Sequence, residues 1–132
     1  MALNVPDVGE NAILEMIVNK TAAQNPVLKL YKNNITPSDT DTAGTYTEAT
    51  FGGYAAVTLT GASWNSAASG SISYGSQQTI TCNASATDDI YGYYIVQTTS
   101  GILLWSERDA NAPFAVRNSG DAIKITPSLG AN

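Results

Sequence analysis

The chain has 132 residues, a formal net charge of −5 and no histidine; 13% of its residues are charged and 43% are hydrophobic. That length suits one domain, residues 1–132, whose core needs no staple. The cations Lys20, Lys29, Lys32, Arg108, Arg117 and Lys124 are scattered, which argues against nucleic acid as a partner because phosphate affinity comes from clustered positive charge. No apolar run approaches the ~20 residues that span a bilayer, so no membrane partner is expected.

Taken in chain order, the first element is a helix within an N-terminal helical segment, residues 1–20. Asp7 with Glu10 three residues on resembles a capping box and opens a helix of about eleven to thirteen residues. Ala12, Ile13, Met16 and Ile17 form its main stripe, while Leu14 and Val18 fall on roughly the opposite side. The helix is therefore apolar over more of its circumference than packing on one sheet requires. Either a second partner surface or the loops after Asn33 would cover that side.

Strands follow at about 26–33, 45–50, 55–64, 71–75, 78–84, 91–99, 102–108, 113–117 and 122–127. Their short length and regular turn signals predict a mainly β fold over 26–129: an antiparallel β-sandwich or a distorted jelly-roll-like barrel beside one N-terminal α-helix. Three local hairpins are expected. A Gly75-Ser76-Gln77 loop would set Ile72 against Ile80, and a Ser119-Gly120 turn would set Val116 against Ile123 and Phe114 against Ile125. A Ser100-Gly101 turn would set Val96 against Trp105 and Tyr94 against Glu107.

In that last register Tyr94, Val96, Leu103 and Trp105 share one face, and Tyr93, Ile95, Ile102 and Leu104 the other. Both faces are apolar, so both must be covered. Glu107 and Arg108, adjacent in the strand, point to opposite faces, Arg108 on the side of Tyr93 and Leu104. Polar anchoring inside an oligomer accounts for the pair. Leu14, Val18, Tyr93, Leu104, Trp105 and Arg108 are the candidate interface residues.

Candidate chemistry is sparse. Cys82 shares a face with Ile80 and Ala84 and reads as a small buried hydrophobe, with no histidine to activate a thiolate. Asp39, Asp41 and Gly44 imitate the start of a calcium loop, but the closing acid is missing, and a solvated Asx-type turn is the better account. Asp88-Asp89 reads as an exposed turn. Glu107 with Asp109 shares one strand side but sits too close to the chain end to argue a glycosidase cleft. No catalytic residue, metal ligand or cofactor is expected. The rings of Trp64, Tyr91, Tyr93, Tyr94 and Trp105 suit core packing, with a sugar-stacking platform as the alternative. Since MALNVPDVGEN has neither a basic start nor an apolar core, synthesis in the cytosol is expected.

The pattern GYYIV, then GILLWSER, a Pro-containing link and GDAIKITPSL resembles the C-terminal half of small structural proteins of tailed bacteriophages. The resemblance covers about a third of the chain. LNVPDVGENAILEMIVNKT and PVLKLYKNNITPSDTDT are similar in style to the same proteins. It implies a non-enzymatic virion protein, made in the host cytoplasm and carried on the capsid surface. As a cement or decoration protein it would bind the major capsid protein, and the same resemblance makes a trimer the first expected homo-oligomer. The alternative is a tail or fibre component that binds a host glycan.

Overall fold

The computed structural model describes residues 3–130. Residues 1, 2, 131 and 132 of the expected domain lie outside the described residues. The fold is mainly β, with one α-helix near the N-terminus and a large antiparallel sheet. That sheet contains β1 (Leu3–Asn4), β2 (Pro26–Tyr31), β3 (Val57–Thr58), β7 (Gly92–Gln97) and β8 (Leu103–Arg108), in the order β1-β8-β7-β2-β3. The remaining strands form three two-stranded ribbons. β4 (Ser71–Ser73) pairs with β11 (Ser128–Gly130), β5 (Gln78–Thr81) with β10 (Ala122–Ile125), and β6 (Asp89–Ile90) with β9 (Phe114–Ala115).

The central strand β7 is buried along its whole length, as a strand covered on both faces must be. Leu28, Leu30, Tyr93, Ile95 and Trp105 belong to a core cluster that also takes in Ile80, Cys82, Val116 and Ile123 from beyond the large sheet. Tyr31, Tyr94, Val96 and Leu103 belong to a second cluster, closed by Tyr46 with Val8, Ile35 and Ala43 packed against it. The strand pairs are consistent with this division, since Leu28 opposes Ile95 and Val27 opposes Val96. The two-sided apolar pattern is thus satisfied within the chain, by the ribbons with Ala12, Phe51 and Leu59 on one side and by Val8, Ile35, Ala43 and Tyr46 on the other.

The expected β7–β8 register is corrected. Ile95 opposes Trp105, but Val96 opposes Leu103, with a register shift between. The extra residue is Leu104, and a β-bulge of this kind interrupts strict alternation. Leu104 and Trp105, expected on opposite faces, therefore join the same cluster. Glu107 opposes Tyr93 rather than Tyr94, and Arg108, opposite Gly92, moves to the face of Tyr31 and Tyr94.

The other two local hairpins do not form. Ile80 opposes Ile123, and Ile72 opposes Leu129, so residues 71–81 run antiparallel to 122–130 as one bent ribbon. The bend falls at Gly75-Ser76-Gln77, between the Tyr74 N–H to Pro127 O bond of 2.8 Å and the Gln78–Ile125 pair. At the supposed Ser119-Gly120 hairpin, the Asp121 carboxylate accepts the N–H groups of Arg117 and Asn118 at 2.9 and 3.0 Å. This closes a loop, and residues 114–117 turn instead to the segment 86–90. The expected strands 45–50 and 55–64 contribute a bridge at Glu48 and the two residues of β3, both along the outer edge of β2, and a bridge from Trp64 to Tyr74.

The helix α1 (Asp7–Ile17) begins one residue earlier than the capping-box reading. Pro6 is the N-cap, no side chain caps the first turn, and Asp7 and Glu10 lie within it, where their charge suits the helix dipole. Chain direction is set by Asp7 N–H, which donates to Asp39 O at 2.9 Å. The helix packs through Gly9 and Ala12, both buried. A Cβ on Gly9 would fall inside contact distance of the Leu103 and Leu104 carbonyl oxygens, so glycine sets how closely α1 approaches the bulge.

Two acids expected in solvated turns are buried and hold loops to the sheet. Asp41 accepts hydrogen bonds from Ser38 N–H (3.0 Å), Ser38 Oγ (3.0 Å) and Tyr46 OH (2.8 Å), and the Tyr46 hydroxyl lies 2.7 Å from Ser106 Oγ. Asp88 accepts the Thr50 N–H at 2.8 Å and pairs with Lys32 at 3.4 Å. Buried polar groups are stable only when so partnered. Cys82 is buried, its Sγ 2.9 Å from Ala84 O.

Two outcomes test this packing. Gly9→Ala should lower stability by about 1–3 kcal/mol through overpacking at the bulge, read as a shift in the urea midpoint. Tyr46→Phe should cost about 1–3 kcal/mol, because it removes a donor from the buried Asp41 carboxylate; an unchanged midpoint would mean that this network holds nothing.

Candidate functional site

The apolar surplus of α1 lies on the face turned away from the sheet. Leu14 is 60% exposed, Ile17 73% and Val18 72%. Positions i, i+3 and i+4 share a helix face, so these three form one stripe. The expected membership of Ile17 in the packed side is corrected, because Val8, Gly9, Ala12 and Met16 supply the covered face. The helix ends at Ile17 with Val18 as its C-cap; Asn19 just beyond has φ of +59°, and Lys20 folds back to pair with Glu15 of the helix at 3.3 Å. Such a pair at the surface contributes little to stability, so the stripe stands free of any polar cover that would hold it to the chain.

The other candidate interface residues have different surroundings. Tyr93, Leu104 and Trp105 are buried in the chain's own core, and of the three Tyr93 reaches the wall of a cleft. Arg108 donates to Ile35 O at 2.9 Å, and its guanidinium lies 5.1 Å from the centroid of the Tyr91 ring. It fastens the loop after β2 to the second cluster. The five rings weighed as a sugar platform do not share one surface: Tyr94 stacks on Tyr46 with centroids 4.9 Å apart, whereas Trp64 packs edge-on against Tyr74 and Trp105.

A cleft of about 420 Å³ opens where the ends of β7 and β8 meet β10 and the β6–β9 ribbon. Its walls include Ile90, Phe114, Ile123 and Ile125, and its polar groups include Tyr93, Glu107, Asp109 and Lys124. The expectation that Glu107 and Asp109 sit too close to the chain end for a cleft is corrected: the non-local ribbons bring a second wall to them. Burial raises the Glu107 carboxyl above the usual carboxylate range, and the Asp109 charge adds to the effect. Burial also pushes the Tyr93 hydroxyl well above the ordinary tyrosine range, with the Glu107 charge next in importance. Phe114 at the rim is 47% exposed.

Among the described residues, no group of three or more His, Cys, Asp and Glu could hold a metal ion, and no helix is long and apolar enough to cross a membrane. No protein-family model matches the chain, and no curated protein matches it.

The Glu107 environment makes a pH prediction. The folded state holds this proton more tightly than the unfolded chain, so its stabilising effect is complete below about pH 4 and is lost as pH rises through the elevated folded value. Glu107→Gln should flatten the fall in melting temperature between pH 4 and pH 8. An identical slope in the variant would show that Glu107 is not desolvated.

Proposed function

We propose that the chain is a non-enzymatic structural protein of a tailed-phage virion, a cement or decoration protein on the capsid surface that binds the major capsid protein. The observation that supports docking is the exposed Leu14–Ile17–Val18 stripe on a helix whose opposite face is already packed. The virion assignment rests on the resemblance carried by residues 90–129. Burying a side chain of this size contributes about 1.5–3 kcal/mol, enough for three together to decide whether a complex forms.

Three side chains on one turn and a half of helix cover much less than the roughly 1,200 Å² of a specific stable interface. A helix-to-helix dimer through this stripe alone is therefore too small. A shell surface built from several capsid subunits supplies the missing area, and cement binding then stabilises the assembled shell by mass action. In this reading the homo-oligomer, with a trimer as first expectation, forms with the shell as its platform.

Leu14→Asp combined with Val18→Asp should leave the melting temperature within a few degrees of the parent, because both sites are exposed. Co-sedimentation with cement-free phage shells should fall by more than tenfold. Retained co-sedimentation would move the docking surface elsewhere, and no binding of the parent chain to any shell would reject the cement reading. Glycan-array binding by the parent chain would favour the fibre alternative.

A further inference from the structure

The cleft beside β10 has a property that side chains alone do not explain. Ala122, Ile123, Lys124, Ile125 and Thr126 all line it. In a strand, successive side chains point to opposite faces, so five consecutive lining residues mean that the cleft runs along the strand's edge.

The hydrogen-bond register identifies what that edge offers. Cys82 N–H donates to Asp121 O at 2.7 Å, which makes Cys82–Asp121 a hydrogen-bonded position of the antiparallel ladder. Alternation then makes Ile80–Ile123 and Gln78–Ile125 hydrogen-bonded pairs, and Thr81–Ala122 and Thr79–Lys124 non-hydrogen-bonded pairs. The N–H and C=O groups of Ala122 and Lys124 therefore point away from β5, toward the cleft. The matching outward groups of β5 meet a different situation. A Cβ on Gly53 would collide with Thr81 O, and Asn83 N–H donates to Gly52 O at 3.0 Å, so the Gly52-Gly53 turn lies along that edge. Of the two edges of this ribbon, β5's is covered and β10's is open.

We infer that the open edge of β10 takes an extended segment of a partner chain by strand addition, a segment that alternates apolar residues and carries a basic one. Backbone pairing supplies affinity in this mode, and side-chain pockets supply selectivity. The apolar walls at Ile90, Phe114 and Ile123 receive aliphatic side chains, while Glu107 and Asp109 at one end receive a cation. Burial is the largest cause of the raised Glu107 carboxyl, and a cation seated beside Glu107 and Asp109 would lower it. The site is separate from the helix stripe and does not depend on the virion reading, because any chain with such a segment would fit.

The test is calorimetric titration of the full chain with the blocked hexapeptide acetyl-Thr-Val-Arg-Val-Thr-Val-amide. Two control peptides carry Glu in place of Arg or N-methyl groups on alternate amides. Binding of the Arg peptide, at least tenfold weaker binding of the Glu peptide and none of the N-methylated one are expected. Of the backbone groups, Lys124→Pro removes a single outward N–H and is tolerated where a strand edge is unpaired; it should reduce binding at least tenfold. Because the substitution also deletes a positive charge, simple electrostatics would instead strengthen Arg-peptide binding. No heat of binding for the Arg peptide at millimolar concentration would overturn the inference. So would equal binding of the N-methylated peptide to the parent chain, a result that stands even if the proline variant fails to fold.

Discussion

The structure depends on one constraint: β7 sits in the middle of the large sheet with both faces buried. A strand in that position forces the chain to build two covers. One comes from the ribbons, through Ile80, Val116 and Ile123; the other comes from the segment around Ile35, Ala43 and Tyr46 together with Val8 of α1. Neither cover is continuous with the large sheet, which is why so much of the fold consists of two-residue strands and pinned loops. At Gly92, a Cβ would collide with Glu107 O and the Tyr31 ring, so even the first residue of β7 is determined by how closely its neighbours pack.

Polar groups complete what apolar burial begins. Long connections carry backbone groups that need partners when buried, and here single acids supply them. Asp41 with Tyr46 and Ser106 ties the loop after β2 to β8, while Asp88 ties Thr50 and Lys32 to the segment leading into β6. Arg117 extends the second tie, donating to Asp88 O at 2.9 Å and pairing with Asp89 at 2.6 Å. These acids are structural, which leaves Glu107 and Asp109 as the acids that line the cleft.

The sequence was most legible where periodicity is local. The helix, β2, β7 and β8 follow from apolar spacing, and the demand for cover on both faces of β7 follows from the run GYYIV. Partner choice was not legible. Ile72, Ile80, Ile123 and Leu129 alternate equally well against several strands, so a nearby glycine turn looked sufficient, whereas the chain closes the ribbon across some fifty residues. The bulge at Leu104 has no side-chain signature either; only the close approach of Gly9 hints at it. For the candidate site, Leu14 and Val18 were visible from helical spacing, with Ile17 assigned to the wrong side because the helix turns on Gly9 and Ala12. The cleft was invisible because its walls come from non-adjacent ribbons. A signal existed in Glu107, an acid on the face of Trp105 while its neighbour Arg108 points the other way.

β7 is the doubly covered centre of one cooperative unit, while β10 keeps an open edge. Native-state amide hydrogen exchange measures both halves at once. Tyr94, Ile95 and Val96 should exchange only through global unfolding, with opening free energies equal to that from denaturant titration, while Ala122 and Lys124 should exchange through local opening many orders of magnitude faster. Exchange of Ile95 and Val96 well below the global limit, or full protection of Lys124 in the isolated chain, would contradict it.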